Sequence, residues 1–407
     1  MNLFSKSLIV GLFPCALSAQ GLYSIAPNDD EATESLPLSY TVGAAFGYDD
    51  NPTPLTNSDD GSVFVSGFIQ ANWTSVTPQD TWDVFARLGV RHFFNSFDSV
   101  PGIDDADETS YNATLGVNYT RRVSERLRFS SRNFVTYETE PDFANESPQS
   151  ARVGNYFRWS TQNTVGYRWT ERLGTNTGID FSGITFDDID DSDSSTLSLR
   201  HQFRYRISPA TVLTTQYRYS FTNNDTSRDV DSHFITGGIE HRISPVSAIV
   251  LRAGVQVVQP DDGDSRTEPF IEGSIRSQLT QQLGVNAFLR YSSEDFNQQL
   301  IVPSQGTTFF EESQTLRFGL RANYVLNHKL SLFGGVSIIH TSYDDVISPV
   351  TASDIDETLI NWNIGASYQI ADNFYVTGSY NFTDAFSDED LREYDRNRFQ
   401  LGVQATF

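Results

Sequence analysis

Arginine supplies almost all the positive charge of this chain. Of 28 Lys and Arg, only Lys6 and Lys329 are lysines. A guanidinium stays ionised and presents a planar fork of donors, which suits it to holding carboxylates and other anions. Twelve arginines lie in segments where every second residue is apolar, each on the polar parity: Arg87, Arg91, Arg158, Arg200, Arg204, Arg218, Arg252, Arg276, Arg290, Arg317, Arg321 and Arg398. Arg168 and Arg206 share that parity. The acids that share it are fewer (Asp83, Glu240, Glu268, Glu272), and Gln70, Gln162, Gln202, Gln216, Gln256 and Gln400 fill much of the rest. A wall of this kind around water concentrates anions and repels cations. The same arginines could instead pair with neighbouring acids and carbonyls and hold a shape; the residues alone leave both readings open.

Carboxylates collect in runs between these segments, most densely at Asp187, Asp188, Asp190, Asp191 and Asp193. Oxygen clusters bind hard cations such as calcium, but no run has the spacing of a twelve-residue calcium loop. The runs also read as a solvated acidic rim. The six histidines are His92, His201, His233, His241, His328 and His340. Their spacing is not that of metal ligands, and neither a GxSxG elbow nor an HExxH pair occurs. His92, His233 and His340 fall toward the ends of their segments, where an acid–histidine hydrolase would need them. No cofactor is implied, and the expectation is a protein that is not an enzyme.

These side chains need β-strands to position them. Thr315 to Leu326 splits at period two into Leu316, Phe318, Leu320, Ala322, Tyr324 and Leu326 against Thr315, Arg317, Gly319, Arg321 and Asn323. Thr196 to Ile207 does the same, with Arg200, Gln202, Arg204 and Arg206 on its polar side. The pattern recurs in eighteen segments: 38–48, 62–76, 80–95, 108–122, 125–138, 152–169, 172–186, 195–207, 211–222, 231–243, 246–259, 266–280, 283–295, 312–326, 329–343, 357–370, 373–385 and 394–407. Eight tight connections alternate with nine longer acidic ones, the longest being Phe296 to Glu311, a loop placed to fold over one mouth. Short turns at one end and long loops at the other mark an up-and-down antiparallel transmembrane β-barrel. The segments are long enough to cross, since about 9–11 residues suffice. In hydrocarbon an open sheet edge would strand its N–H and C=O groups, so Leu38 to Tyr48 must pair with Tyr394 to Phe407. Eighteen strands enclose more space than side chains alone fill.

Composition agrees by exclusion. The 407 residues carry a formal charge of -24, with 38% hydrophobic and 13% aromatic residues. Nucleic-acid binding needs a basic face, and disorder is a poor match to so many aromatics. No run of about 18 apolar residues offers a spanning helix. Residues 1–19 read as a secretory signal peptide, with Lys6, a short apolar core and cleavage after Ala19 or after Gly21. Cys15 lies inside that segment, so the mature chain has no cysteine. Residues 20–37 read as a short acidic periplasmic tail, leaving 38–407 as one barrel.

Aromatics bunch where two lipid boundaries should fall. Trp73, Trp82, Tyr119, Tyr167, Trp169, Tyr324, Tyr368 and Phe374 lie near the short turns. Phe46, Tyr48, Phe94, Tyr137, Phe221, Tyr291 and Tyr343 lie near the long loops.

The ending, Phe399 to Phe407, alternates and finishes on Phe407; it resembles the terminal strand by which the barrel-assembly machinery recognises bacterial outer-membrane barrels. Thr41 to Thr53, with Gly47-Tyr48-Asp49-Asp50-Asn51, resembles the opening strand and first loop of the outer-membrane β-barrel porin family of the beta-barrel porin 2 type. The resemblance implies a barrel in the outer membrane of a Gram-negative cell, with a porin-like transport role, in some members linked to surface polysaccharide. The expected partners are outer-membrane lipid and lipopolysaccharide. The expected function is passive diffusion of small polar or anionic solutes past the inner arginines. The alternatives are a structural or polysaccharide-associated barrel without a pore, and an outer-membrane hydrolase.

Overall fold

The computed structural model describes residues 38–52, 61–95, 108–139, 155–187, 193–225, 228–261, 263–294, 299–302, 306–348, 354–389 and 392–407. The expected signal peptide, the acidic tail and most of the long loops lie outside these residues.

Period-two patterning becomes strand throughout. In chain order the strands are β1 (Leu38–Asp49), β2 (Ser62–Val76), β3 (Asp80–Phe93), β4 (Thr109–Arg122), β5 (Leu127–Glu138), β6 (Tyr156–Arg168) and β7 (Leu173–Phe186). Then come β8 (Ser194–Ser208), β9 (Thr211–Asn224), β10 (Val230–Ser244), β11 (Ser247–Pro260), β12 (Arg266–Gln278) and β13 (Leu283–Ser293). The last are β14 (Gln299–Val302), β15 (Gly306–Val325), β16 (Leu330–Ser348), β17 (Ile355–Ala371), β18 (Phe374–Ser387) and β19 (Tyr394–Thr406). Every pairing is antiparallel between neighbours. The first strand meets the last from Thr41 opposite Thr406 to Asp49 opposite Arg398, which closes the sheet. β13 pairs directly with β15, and β14 pairs only with the start of β15. The ring therefore has eighteen strands, and the structure corrects the expected loop at 296–311: part of it is a short hairpin prolonging β15 beyond the ring.

Burial runs opposite to that of a soluble sandwich. The apolar parity is exposed: Leu401 is 63% accessible and Leu88 60%. The polar parity is buried: Gln256 is 0% accessible, Gln202 2% and Arg317 3%. A one-residue slip in any strand would exchange the two faces, so a consistent face around the ring fixes the register of every pairing. The aromatic belts follow, with Trp73, Trp82, Trp169, Tyr368 and Phe374 exposed at the short-turn end and Phe46, Tyr48 and Phe94 at the other. Tyr343 departs from its expected place: it is buried on the inner parity with Phe310 and Ile355, because its partners Ser313 and Ile355 both face inward.

Seven of the eight short turns share one local device. Thr77, Ser124, Thr170, Ser208, Ser244, Thr280 and Asn327 each accept, through the side-chain oxygen, a backbone N–H two residues on. A short oxygen-bearing side chain at this position satisfies a donor the ladder has left and starts the reversal.

Candidate functional site

Cross-strand register places five of the inner arginines in one continuous row. Starting at the short-turn end, Arg168 faces Gly174, which faces Arg204. The row continues through Thr214, Gly238 and Arg252. It then passes Glu272, Arg290 and Arg317. Beyond Arg317 it turns apolar, through Ile339, Leu359, Ala385 and Tyr394, at the long-loop end of β19. Strands of a closed barrel tilt against its axis, so a row perpendicular to them climbs from one mouth to the other.

Small residues make room for the large ones. A Cβ on Gly238 would lie 2.8 Å from Cγ of Arg252, and one on Gly178 would lie 2.8 Å from a guanidinium nitrogen of Arg200. The arginine stems thus lie flat over cross-strand glycines, as aromatics cover glycines elsewhere in sheets. Gly238→Val is expected to lift Arg252 off the wall and break its 3.7 Å approach to Glu272, seen as a lower unfolding midpoint in detergent.

Each predicted lumen arginine can now be placed. Arg204 forks onto Glu240, and one of its nitrogens also donates to Gln202 at 3.0 Å. Arg200 lies 3.5 Å from Asp180, and Arg252 faces Glu272. Arg317 makes two 2.7 Å bonds to Glu294, which also accepts from Arg290 at 2.9 Å. Glu294 stands just past the end of β13; burial pushes its carboxyl up, but Arg317 and then Arg290 outweigh that and hold it at about 2. Arg87 lies over the Phe68 ring at 4.1 Å, Arg91 over Phe64 at 5.3 Å and Arg218 over Phe234 at 3.6 Å. Such contacts stabilise a guanidinium without neutralising it. Arg158 and Arg321 are half-buried on the same inner parity, and Arg276 is exposed near the short-turn mouth. Two of the four inner acids expected from sequence, Glu240 and Glu272, face arginines. Asp83 accepts from Asn118, and Glu268 accepts from Gln314 at 2.9 Å.

Arg398 belongs to a second group that spacing alone did not reveal. It donates to Asp49 at 2.8 Å, and Arg396 makes bonds of 2.6 and 2.9 Å to the same carboxylate, which is fully buried. Asp50 accepts the backbone N–H and the side-chain amide of Asn397, and Asn51 donates to the carbonyl of Asp395. The Gly47-Tyr48-Asp49-Asp50-Asn51 stretch is thus the seam between first and last strands. Gly47 belongs to it sterically: a Cβ there would sit 2.3 Å from Phe64 and 2.5 Å from the carbonyl oxygen of Phe399. Gly47→Val is expected to weaken the seam and to raise the fraction of chain running unfolded on an unheated gel.

The other expected sites fall partly outside the described residues. Asp188, Asp190 and Asp191 lie outside the described residues; Asp187 accepts from Tyr137 and Asp193 from the Phe186 backbone. Among the described residues, no three His, Cys, Asp or Glu are grouped to hold a metal. His92, His201, His233, His241 and His340 sit on the outer parity, and each uses Nδ1 on a Thr or Tyr hydroxyl of a neighbouring strand. Hydrolytic chemistry would want a carboxylate there to orient the ring.

Residues 244–407 match the family described as outer membrane protein beta-barrel domain. No curated protein matches the chain. Among solved structures, OpdK from Pseudomonas aeruginosa aligns at 12% identity and a TM-score of 0.47, covering 91% of this chain and 99% of that one. OccAB4 from Acinetobacter baumannii aligns at 12% and 0.44, covering 92% and 99%. The ferric enterobactin receptor of Pseudomonas aeruginosa aligns at 6% and 0.44, covering 92% and 81%. Likeness at this level carries nothing about solute or mechanism. With the ring closed, the oily face outside and the C-terminal strands matched to an outer-membrane barrel domain, the chain is an eighteen-strand β-barrel of the outer membrane.

Proposed function

We propose that this barrel is a passive pore for small anionic or polar solutes, which pass along its inner arginines. The observation that carries the reading is the row from Arg168 to Arg317: it holds five arginines and one glutamate, Glu272. Pairing does not remove that excess. Glu294 is shared by two arginines, and Asp49 by two more. A wall in which cations outnumber carboxylates raises the local anion concentration and lets a solute exchange one guanidinium for the next.

The test is the reversal potential of purified protein in a planar bilayer under a KCl gradient. The expected sign is that of chloride preference. Cation preference would overturn the role of the arginines. A second reading, a barrel whose inner network only holds its shape, is favoured by the deep burial of Arg200, Arg204, Arg252 and Arg317. Absence of any conductance would establish that reading instead.

A further inference from the structure

The two mouths of the barrel carry opposite charge. Within the eight short turns and the five strand residues on either side of each, twelve Arg or Lys stand against six Asp or Glu. The excess is ordered. Six consecutive ring strands that run down into a short turn each put an arginine on the inner parity within their last five residues: Arg122, Arg168, Arg206, Arg242, Arg276 and Arg321. The register sets several of them side by side. Arg242 and Arg276 both face Ala248, and Asn286 lies between Arg276 and Arg321. Arg122, Arg168, Arg242 and Arg276 are exposed.

The long-loop end has the reverse composition. Asp187, Asp229, Asp261, Asp356 and Asp388 all stand there, on or beside strand ends. The chain as a whole is at -24, so the basic end is balanced by a larger acidic excess elsewhere.

We infer that the barrel conducts ions asymmetrically, as a pore with an acidic outer mouth and a basic inner mouth. The inference rests on the pore reading above. The acidic mouth holds an excess of cations and the basic mouth an excess of anions. With the long-loop side positive, the field drives cations in through the acidic mouth and anions in through the basic mouth, and the lumen fills with both. With the polarity reversed, each ion must enter through the mouth that repels it, and the lumen is depleted. Current is therefore larger when the long-loop side is positive.

The experiment is a single-channel current–voltage curve of the full mature chain at 0.1 M and at 1 M KCl. Insertion direction is fixed with Ser124→Cys in a short turn, by the chamber from which a bulky membrane-impermeant thiol reagent alters the current. The ratio of currents at opposite voltages should be at least about twofold at 0.1 M. It should approach one at 1 M, where the Debye length falls from ~10 Å to ~3 Å. The triple variant Arg168→Glu, Arg242→Glu, Arg276→Glu should lose or reverse the ratio; heat-shifted gel mobility shows separately that the variant folds. A linear curve at 0.1 M, or rectification of the opposite sense, overturns the inference and leaves the pore standing. No conductance overturns the pore reading and this inference with it.

Discussion

Asp49→Ala destabilises the closed barrel by roughly 3–5 kcal/mol, the cost of removing one partner from a buried ion pair. The carboxylate is fully buried and receives Arg396 through two nitrogens and Arg398 through a third. Its removal leaves two guanidinium groups on the inner side of β19 without the acceptor that joins them to β1. The location makes the loss larger than at an ordinary rung. The seam joins strands almost 350 residues apart, so no short turn holds it together. Unfolding in detergent, followed through tryptophan fluorescence, should shift its midpoint accordingly. Asp49→Glu should recover part of the loss and Asp49→Asn little of it, because the amide keeps the shape without the charge. An Asp49→Ala variant as stable as the parent would show that the seam is held by the backbone ladder alone.

Glu294→Gln produces a loss of the same order, roughly 3–5 kcal/mol, at the junction of β13 and β15. Glu294 is 2% accessible and accepts from both Arg317 and Arg290. The pH dependence follows from its depressed carboxyl, held at about 2. A depressed folded value means that the group stabilises fully above its unfolded pKa of about 4.3 and stops doing so as pH falls through the folded value. This stabilisation should therefore be constant above about pH 5 and fade toward pH 2. The difference in unfolding midpoint between parent and Glu294→Gln is the measurement. It should be flat from neutral down to about pH 5 and close progressively below that. A difference independent of pH down to 2 would mean that the glutamate's charge is not what matters.

Much of the barrel was legible because lipid leaves a strand few choices. Leu197, Leu199, Phe203 and Tyr205 can only lie together on the outside if Ser198, Arg200, Gln202 and Arg204 lie inside, and the structure has them so. The short turns were legible from Pro78, Ser208-Pro209 and Ser244-Pro245, where strand pairing has to stop. Sequence reasoning missed elements where the alternation weakens. Gln299–Val302 carries an apolar run of only three residues, which periodicity cannot assign, and only its pairing with Gly306 to Phe309 makes it a strand. β15 begins six residues before the expected start for the same reason.

The inner wall was half legible. Parity identified the arginines, since a long cation cannot face hydrocarbon. Their partners were harder to find. Glu240 and Glu272 share the parity within regular strands and were visible. Asp49 and Glu294 close a strand and resemble the acidic rim in sequence, although each is buried beneath two arginines. Arg396 shares the parity of Arg398 and was overlooked, though the alternation of 394–407 pointed to it. Asp180 lay within an expected strand and could have been found the same way. Except for Arg290 and Glu294, four positions apart, such pairings join residues 20 to nearly 350 positions apart, and only register brings those together.

An outer-membrane pore of this design has water on the arginine side of the sheet and hydrocarbon on the other. With Cys15 as the chain's sole cysteine, single replacements on a chain without it report each face directly. In lipid vesicles, Arg168→Cys, Arg242→Cys and Arg276→Cys should react rapidly with a small charged thiol reagent, while Leu88→Cys, Leu251→Cys and Leu401→Cys should react only after the lipid is dissolved. Rapid labelling at the leucine positions in intact vesicles, with protection at the arginine positions, would contradict that arrangement.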